Sequence, residues 1–186
     1  MIQFYKPNPK GTGNACSFFV TQDGSIMASM IKQHSWDASK KTGSFSKNKG
    51  VPSKSVMTKL SRIETAGIID AIETNREWTA YHRSQKQVVQ MKFCPYMRDS
   101  KQVGYSFSIN KQDVEDSTNK SSYVIGLYFP EARLLKHDLE IFLDKTLRMI
   151  PQTPPSPQQQ EKSPVKEIDL NEDKTSGNPF DDEEIF

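Results

Sequence analysis

The sequence predicts an α+β body built from two strands-plus-helix units, followed by a disordered C-terminal tail. Three observations predict it. Short segments of alternating apolar and polar residues come in two groups, and each group is closed by a segment of helical spacing. The two helix starts, Ser61 and Pro130, stand 69 residues apart, so the units are of similar length. After Ile150 the composition changes abruptly, with six of the 11 prolines in the last 36 residues.

In the first unit, Cys16–Val20 and Ser25–Gln33 read as strands around the turn signal Gln22-Asp23-Gly24. Val51–Leu60 carries a further strand. Ser61-Arg62-Ile63-Glu64 then has the Ser and Glu spacing of a capping box. Ile63, Ala66, Ile69 and Ile72 follow at helical intervals, which predicts a helix over 62–74. Gly67 inside that helix signals a close approach by a neighbour. In the second unit, Gln87–Cys94 alternates, and Val103, Tyr105, Phe107 and Ile109 share one face of a strand. Ser122–Phe129 is a third strand. Phe93, Phe107 and Phe129 are expected in the core. Pro130 suits the first turn of a helix. Ala132, Leu135, Leu139, Phe142 and Leu147 form an apolar stripe over 130–149, and Pro151 ends it.

This divides the chain into a body over 1–150, a Pro/Gln-rich linker over 151–177 and an acidic tip over 178–186. Pro and Gln at this density bury too little apolar surface to offset the entropy of ordering a backbone. The charge divides at the same place. The net charge of +2 combines a body with 22 basic and 14 acidic side chains and a tail with three and nine. A basic body with an acidic tail points towards nucleic acid.

Several classes are set aside. No uncharged run is long enough for a membrane-spanning helix, and Met1–Lys6 lacks the pattern of a signal peptide. Two cysteines outside any Cys-x-x-Cys pair make neither a disulfide framework nor a Cys-rich zinc site. Phosphate-loop and nucleophile-elbow motifs are missing, and His34, His82 and His137 are scattered. The expectation is a non-enzymatic intracellular protein with no cofactor, no metal and no membrane partner. Asp113, Glu115 and Asp116 keep a metal-dependent nuclease open as an alternative, against the plainer reading of a solvated turn.

The positive signal is basic and aromatic. Between Lys32 and Lys59, seven lysines (Lys32, Lys40, Lys41, Lys47, Lys49, Lys54 and Lys59) face one acid, Asp37, with Trp36 and Phe45 among them. Lysines draw phosphates and release counterions, and rings stack on unpaired bases. Duplex DNA exposes no base faces, so the rings favour single strands. A second cluster holds Arg76, Trp78, Tyr81, Arg83, Tyr96, Arg98 and Lys101. These sixteen side chains are the candidate nucleic-acid contacts.

Phe180, Asp181, Asp182, Glu183, Glu184, Ile185 and Phe186 are the candidate partner-binding residues. The run resembles the acidic, Phe-terminated tip of bacterial and phage single-stranded-DNA-binding proteins. Ile185 and Phe186 would fill an apolar pocket while the acids meet basic residues around it. The body resembles the Whirly and PC4-like family instead, in its order of strands, helix, strands, helix. That resemblance implies antiparallel sheets packed on helices, with single-stranded DNA bound across the sheets. It also implies that Lys32, Trp36 and the Lys40–Lys59 segment share the binding face. Whirly proteins carry a Lys-Gly motif on a strand, whereas Lys49-Gly50 sits in a loop context here.

The combined expectation is a protein that coats single-stranded DNA in replication or recombination with low sequence specificity. Its tip would recruit replication or recombination proteins, and copies of the chain would associate as homo-oligomers. A phage or other viral origin, in the cytoplasm of a bacterial host, suits that combination. A transcription regulator or RNA-binding factor using the same face is the alternative.

Overall fold

The computed structural model describes residues 1–116 and 118–149. The linker and the acidic tip lie outside the described residues. The first unit contains β1 (Ile2–Lys6), β2 (Asn14–Val20), β3 (Ile26–Lys32), β4 (Ser35–Asp37), β5 (Thr42–Ser44), β6 (Ser55–Leu60) and α1 (Arg62–Thr74). The second contains β7 (Trp78–Arg83), β8 (Gln87–Arg98), β9 (Lys101–Asp113), β10 (Lys120–Tyr128) and α2 (Phe129–Arg148). β1-β2-β3-β6 and β7-β8-β9-β10 form two four-stranded antiparallel sheets, and β4 and β5 make a separate small hairpin. The α+β architecture with a helix closing each strand group is therefore present.

Period-two alternation decides which face each sheet buries. From the first sheet, Phe4, Cys16, Phe18, Ile26, Ala28, Met30, Val56 and Leu60 turn inward. From the second, Val89, Met91, Phe93, Tyr105, Phe107, Ile109, Tyr123, Ile125 and Leu127 do the same. They form one continuous core. Phe18 and Phe107 meet across it with ring centroids 5.3 Å apart, and Phe93 stacks on Tyr105 at 5.3 Å. A fully buried Phe of this kind holds about 3–5 kcal/mol against truncation to Ala. The Tyr123 hydroxyl donates to the Ser55 carbonyl at 3.2 Å, tying β10 to β6.

Both helices begin where local chemistry directs. Ser61 Oγ accepts the Glu64 N–H at 3.1 Å, and Glu64 Oε2 accepts the Ser61 N–H at 2.7 Å, which completes the capping box. The face of α1 departs from expectation. Thr65, Ile68 and Ala71 are its buried residues, whereas Ile63 is 85% exposed and Ala66 is exposed. Ile69 and Ile72 lie only half-buried beside the core. The helix is rotated because Gly67 admits Trp78 of β7, whose Nε1 would lie 2.4 Å from any Cβ there. α2 opens with Pro130 in its first turn, and Glu131 Oε2 accepts the Tyr128 N–H at 2.7 Å. Its buried stripe is Ala132, Leu135, Leu139, Phe142 and Thr146, and Leu147 is exposed. Phe129, expected in the core, is 46% exposed. As the first residue of α2 it leaves the strand's alternation and sets its ring edge-on to Tyr105. Lys136 of α2 pairs with Glu73 of α1 at 3.0 Å.

Candidate nucleic-acid interface

With both inner faces consumed by the core and the helices, the outer faces of the sheets remain. On the first sheet, pairing register lays the outward residues in rows: Gln3, Ser17, Ser29 and Met57, then Tyr5, Ala15, Ile31 and Ser55. Phe19, Met27 and Lys59 make a third row. Ala15, Ser17 and Ser29 are short, so the middle of the sheet is a low floor. Tyr5, Phe19, Ile31 and Met57 stand around it. The segment after β5 overhangs one side, bringing Phe45 and Lys49 to the wall. The result is a groove of about 620 Å³. Tyr5 and Met57 are both more than half exposed, so apolar surface is open at its lip.

Six lysines stand on the segment that joins β3 to β6 and on β6 itself. Lys40 and Lys41 occupy the tip of the β4–β5 hairpin. Lys47 lies in the 3-10 turn Ser46–Asn48, with Lys49 and Lys54 following and Lys59 on the outer face of β6. All six are exposed. Among the described residues none has a carboxylate within ion-pair distance, while Lys6, Lys92 and Lys136 all do. Six ammonium groups with no carboxylate partner among the described residues, five between β3 and β6 and one on β6, suit a polyanion.

Other candidates fall differently. Lys32 turns inward, its Nζ 4.9 Å from the Tyr123 ring centroid. Burial, and then the Lys54 charge, pull its pKa below the ordinary lysine value. Phe45 is 8% exposed and packs against Tyr5 at 5.8 Å, so it contributes a wall rather than a free platform. Trp36 is half-buried on β4 opposite Gly43. Trp78 faces α1 and serves packing. Arg76 is exposed after α1, beyond the first sheet's groove. Arg98 and Lys101 are exposed at the β8–β9 turn, where Arg98 approaches Asp99 at 3.8 Å.

Tyr81, Arg83 and Tyr96 stand on the outer face of the second sheet. Tyr81 is 60% exposed. Tyr96 lies flat across Gly126, where a Cβ would meet its ring at 3.2 Å. Gln90, Ser106, Ser108, Asn110, Gln112 and Ser122 point outward on this face, with Val88, Lys92 and Val124 among them. Tyr5, Phe19, Met57 and these amides were absent from the sequence-level candidates. The signal for them is alternation: residues flanking Phe4, Cys16, Phe18 and Met91 must face the other way.

Asp113, Glu115 and Asp116 form a turn. Asp113 Oδ1 accepts the Glu115 N–H at 3.1 Å, and Asp116 Oδ1 accepts the Thr118 N–H at 2.9 Å. The Thr118 hydroxyl and N–H hold the Asp116 pKa below the usual carboxylate value. Among the described residues no three His, Cys, Asp or Glu side chains converge as a metal set. Cys16 is buried, and burial drives its thiol pKa far up, so it is inert apolar filling.

No protein-family model matches the chain, and no curated protein does. Solved structures do. WHY1 from Arabidopsis thaliana superposes with a TM-score of 0.53 at 14% identity, over 76% of this chain and 81% of that one. WHY3 from the same plant gives 0.55 at 13%, over 78% and 87%. The plant transcriptional regulator PBF-2 gives 0.54 at 14%, over 79% and 81%. The fold is Whirly-like. At this identity the likeness concerns the course of the chain, and the side chains on the two outer faces are this protein's own.

Proposed function

We propose that this protein is a non-enzymatic single-stranded-DNA-binding protein that covers exposed strands with low sequence specificity. One observation carries the reading: an open groove with an aromatic and thioether wall and a floor of small residues, with Lys49 in its wall, on a stretch of chain whose six exposed lysines have no carboxylate partner among the described residues. Phosphates meet the lysines while bases enter the groove, where rings contribute about 1–3 kcal/mol per stacked base. The Whirly-like fold supports it, since the Whirly resemblance implies single strands bound across sheets. The proposed setting is replication or recombination, in the cytoplasm of a bacterial host as a phage or other viral protein. The acidic tip, Phe180–Phe186, recruits partner proteins. Copies of the chain associate, and Leu134, Ile141 and Leu147 exposed along α2 support that part. The similarity to a plant transcriptional regulator favours one second reading, a regulator or RNA-binding factor using the same face.

The test is competition among oligothymidylate, an RNA of the same length and duplex DNA at two salt concentrations. Single-stranded DNA should compete best and weaken steeply with salt. Preference for duplex, or failure to bind oligothymidylate in dilute buffer, refutes the reading. Deleting 178–186 should keep or raise strand affinity while abolishing partner capture, and a large fall in affinity refutes the role given to the tip.

A further inference from the structure

The outer face of the second sheet has a composition that charge and stacking alone do not require. Register aligns Tyr81, Gln90, Asn110 and Ser122 side by side across all four strands. At the usual strand spacing this row spans about 14 Å. The next row runs Arg83, Val88, Gln112 and Lys120. A ring therefore stands at one end of a line of amides, and a cation flanks it at each edge of the sheet. Between them lies a concavity of about 440 Å³, within the range that holds a small ligand.

The hydrogen bonding of this row is half complete. The Ser122 hydroxyl donates to Asn110 Oδ1 at 2.7 Å, which orients the amide and leaves its NH2 group facing outward. Among the described residues, the Gln90 and Gln112 amides have no partner. A side-chain amide offers a donor and an acceptor in one plane. Each nucleobase presents its own order of donors and acceptors along an edge. The groove of the first sheet offers rings, a thioether and scattered hydroxyls with the single amide of Gln3, whereas this row sets two amides side by side next to a ring.

We propose that the Tyr81–Gln90–Asn110–Ser122 row is a base-reading subsite that gives strand binding a preference for one base type. Tyr81 stacks on the base, Gln90 and Asn110 pair with its edge, and Arg83 and Lys120 meet the flanking phosphates. One such subsite selects composition within a footprint and leaves sequence order unread. The inference rests on the single-strand reading above, and the test separates the two.

Full-length protein is titrated by fluorescence anisotropy with labelled dA, dC and dT oligomers of equal length. The wild type should separate its best and worst oligomers by about tenfold, as one bidentate amide–base pair does. Gln90→Ala with Asn110→Ala should close that gap to about twofold and leave the weakest oligomer's affinity in place. Gln90→Glu keeps the shape but only accepts hydrogen bonds, so it should change the order of preference. Thermal melts at the wild-type midpoint confirm that the exposed substitutions leave the fold intact. A wild type that binds all three alike overturns the subsite and leaves the single-strand reading standing. A spread that survives the variants belongs to stacking and overturns it too, as does an equal loss on all three oligomers. Failure to bind any of the three removes both readings.

Discussion

Replacing Lys47, Lys49 and Lys54 with Gln should flatten the salt dependence of strand binding. These three belong to the group of six exposed lysines without carboxylate partners among the described residues. Each phosphate neutralised on a single strand contributes about 0.7 to the slope of log affinity against log salt. Six such contacts give a slope of about −4, which loses about 300-fold between about 50 and 200 mM salt. With three removed, the slope falls to about −2 and the loss over the same range to about 20-fold. All three positions are exposed, so each substitution should move stability by no more than about 0.5 kcal/mol. The assay is anisotropy of labelled oligothymidylate at four salt concentrations, with thermal melts alongside. A wild-type slope shallower than about −1 would refute the reasoning. So would a variant with lower affinity and an unchanged slope, because the lysines would then act without meeting phosphates.

Tyr5→Ala or Phe19→Ala should lower single-strand affinity by about 1–3 kcal/mol, with little change for duplex, and competition gel shifts will check this; equal losses on both would mean the groove does not take unpaired bases. Gly67→Ala should destabilise the protein in urea titration: Ala gains about 1 kcal/mol in helix propensity, but the new methyl meets Trp78 Nε1 at 2.4 Å, and overpacking costs about 1–3 kcal/mol. A midpoint at or above the wild type would contradict the packing argument. Glu64→Gln keeps an acceptor for the Ser61 N–H but removes the charge at the start of α1, and should cost about 0.3–1 kcal/mol near neutral pH. Burial opposes the Glu64 charge, but the Ser61 N–H and the His82 ring (Nε2 at 2.6 Å) outweigh it and hold the pKa below the usual value. A depressed carboxylate stabilises above its unfolded pKa and loses that contribution as pH falls through the folded one, so the cost of the substitution should shrink as pH falls below the usual glutamate range. A cost independent of pH would show that the charge is irrelevant.

The elements that sequence made legible are those whose pattern is set by their own chain. The 62–74 helix begins at its capping box, and Val103–Ile109 alternates because one face is wholly buried. β1 was invisible: five residues with one buried side chain, Phe4, give too short a pattern to distinguish a strand from a loop. β4 and β5 are three residues each, held by pairing rather than by apolar periodicity. The rotation of α1 was beyond reach because two stripes coexist on that helix. Ile63, Ala66 and Ile69 have the spacing, yet Trp78 packs where Gly67 has no side chain. A partner 11 residues away decides the face.

The site divides along the same line. The lysine segment was legible because charge needs no tertiary context to be seen; whether a lysine is free does. Lys32 and the group from Lys40 to Lys59 look alike in sequence, but one lies half-buried over a tyrosine ring and the ammonium groups of the others have no described carboxylate within ion-pair distance. The grooves were not legible because each is assembled from four strands, and a floor of Ala15, Ser17 and Ser29 carries no signal until register sets them side by side. The same register that buries Phe18 against Phe107 fixes what lies on the opposite face. The two outer surfaces therefore cannot drift in alignment without breaking the core. A sheet whose inner residues are this large and this closely packed is a rigid ruler for whatever lies on its other side. A trough walled by rings on one sheet and a row of amides on the other are thereby held apart as two chemically distinct surfaces.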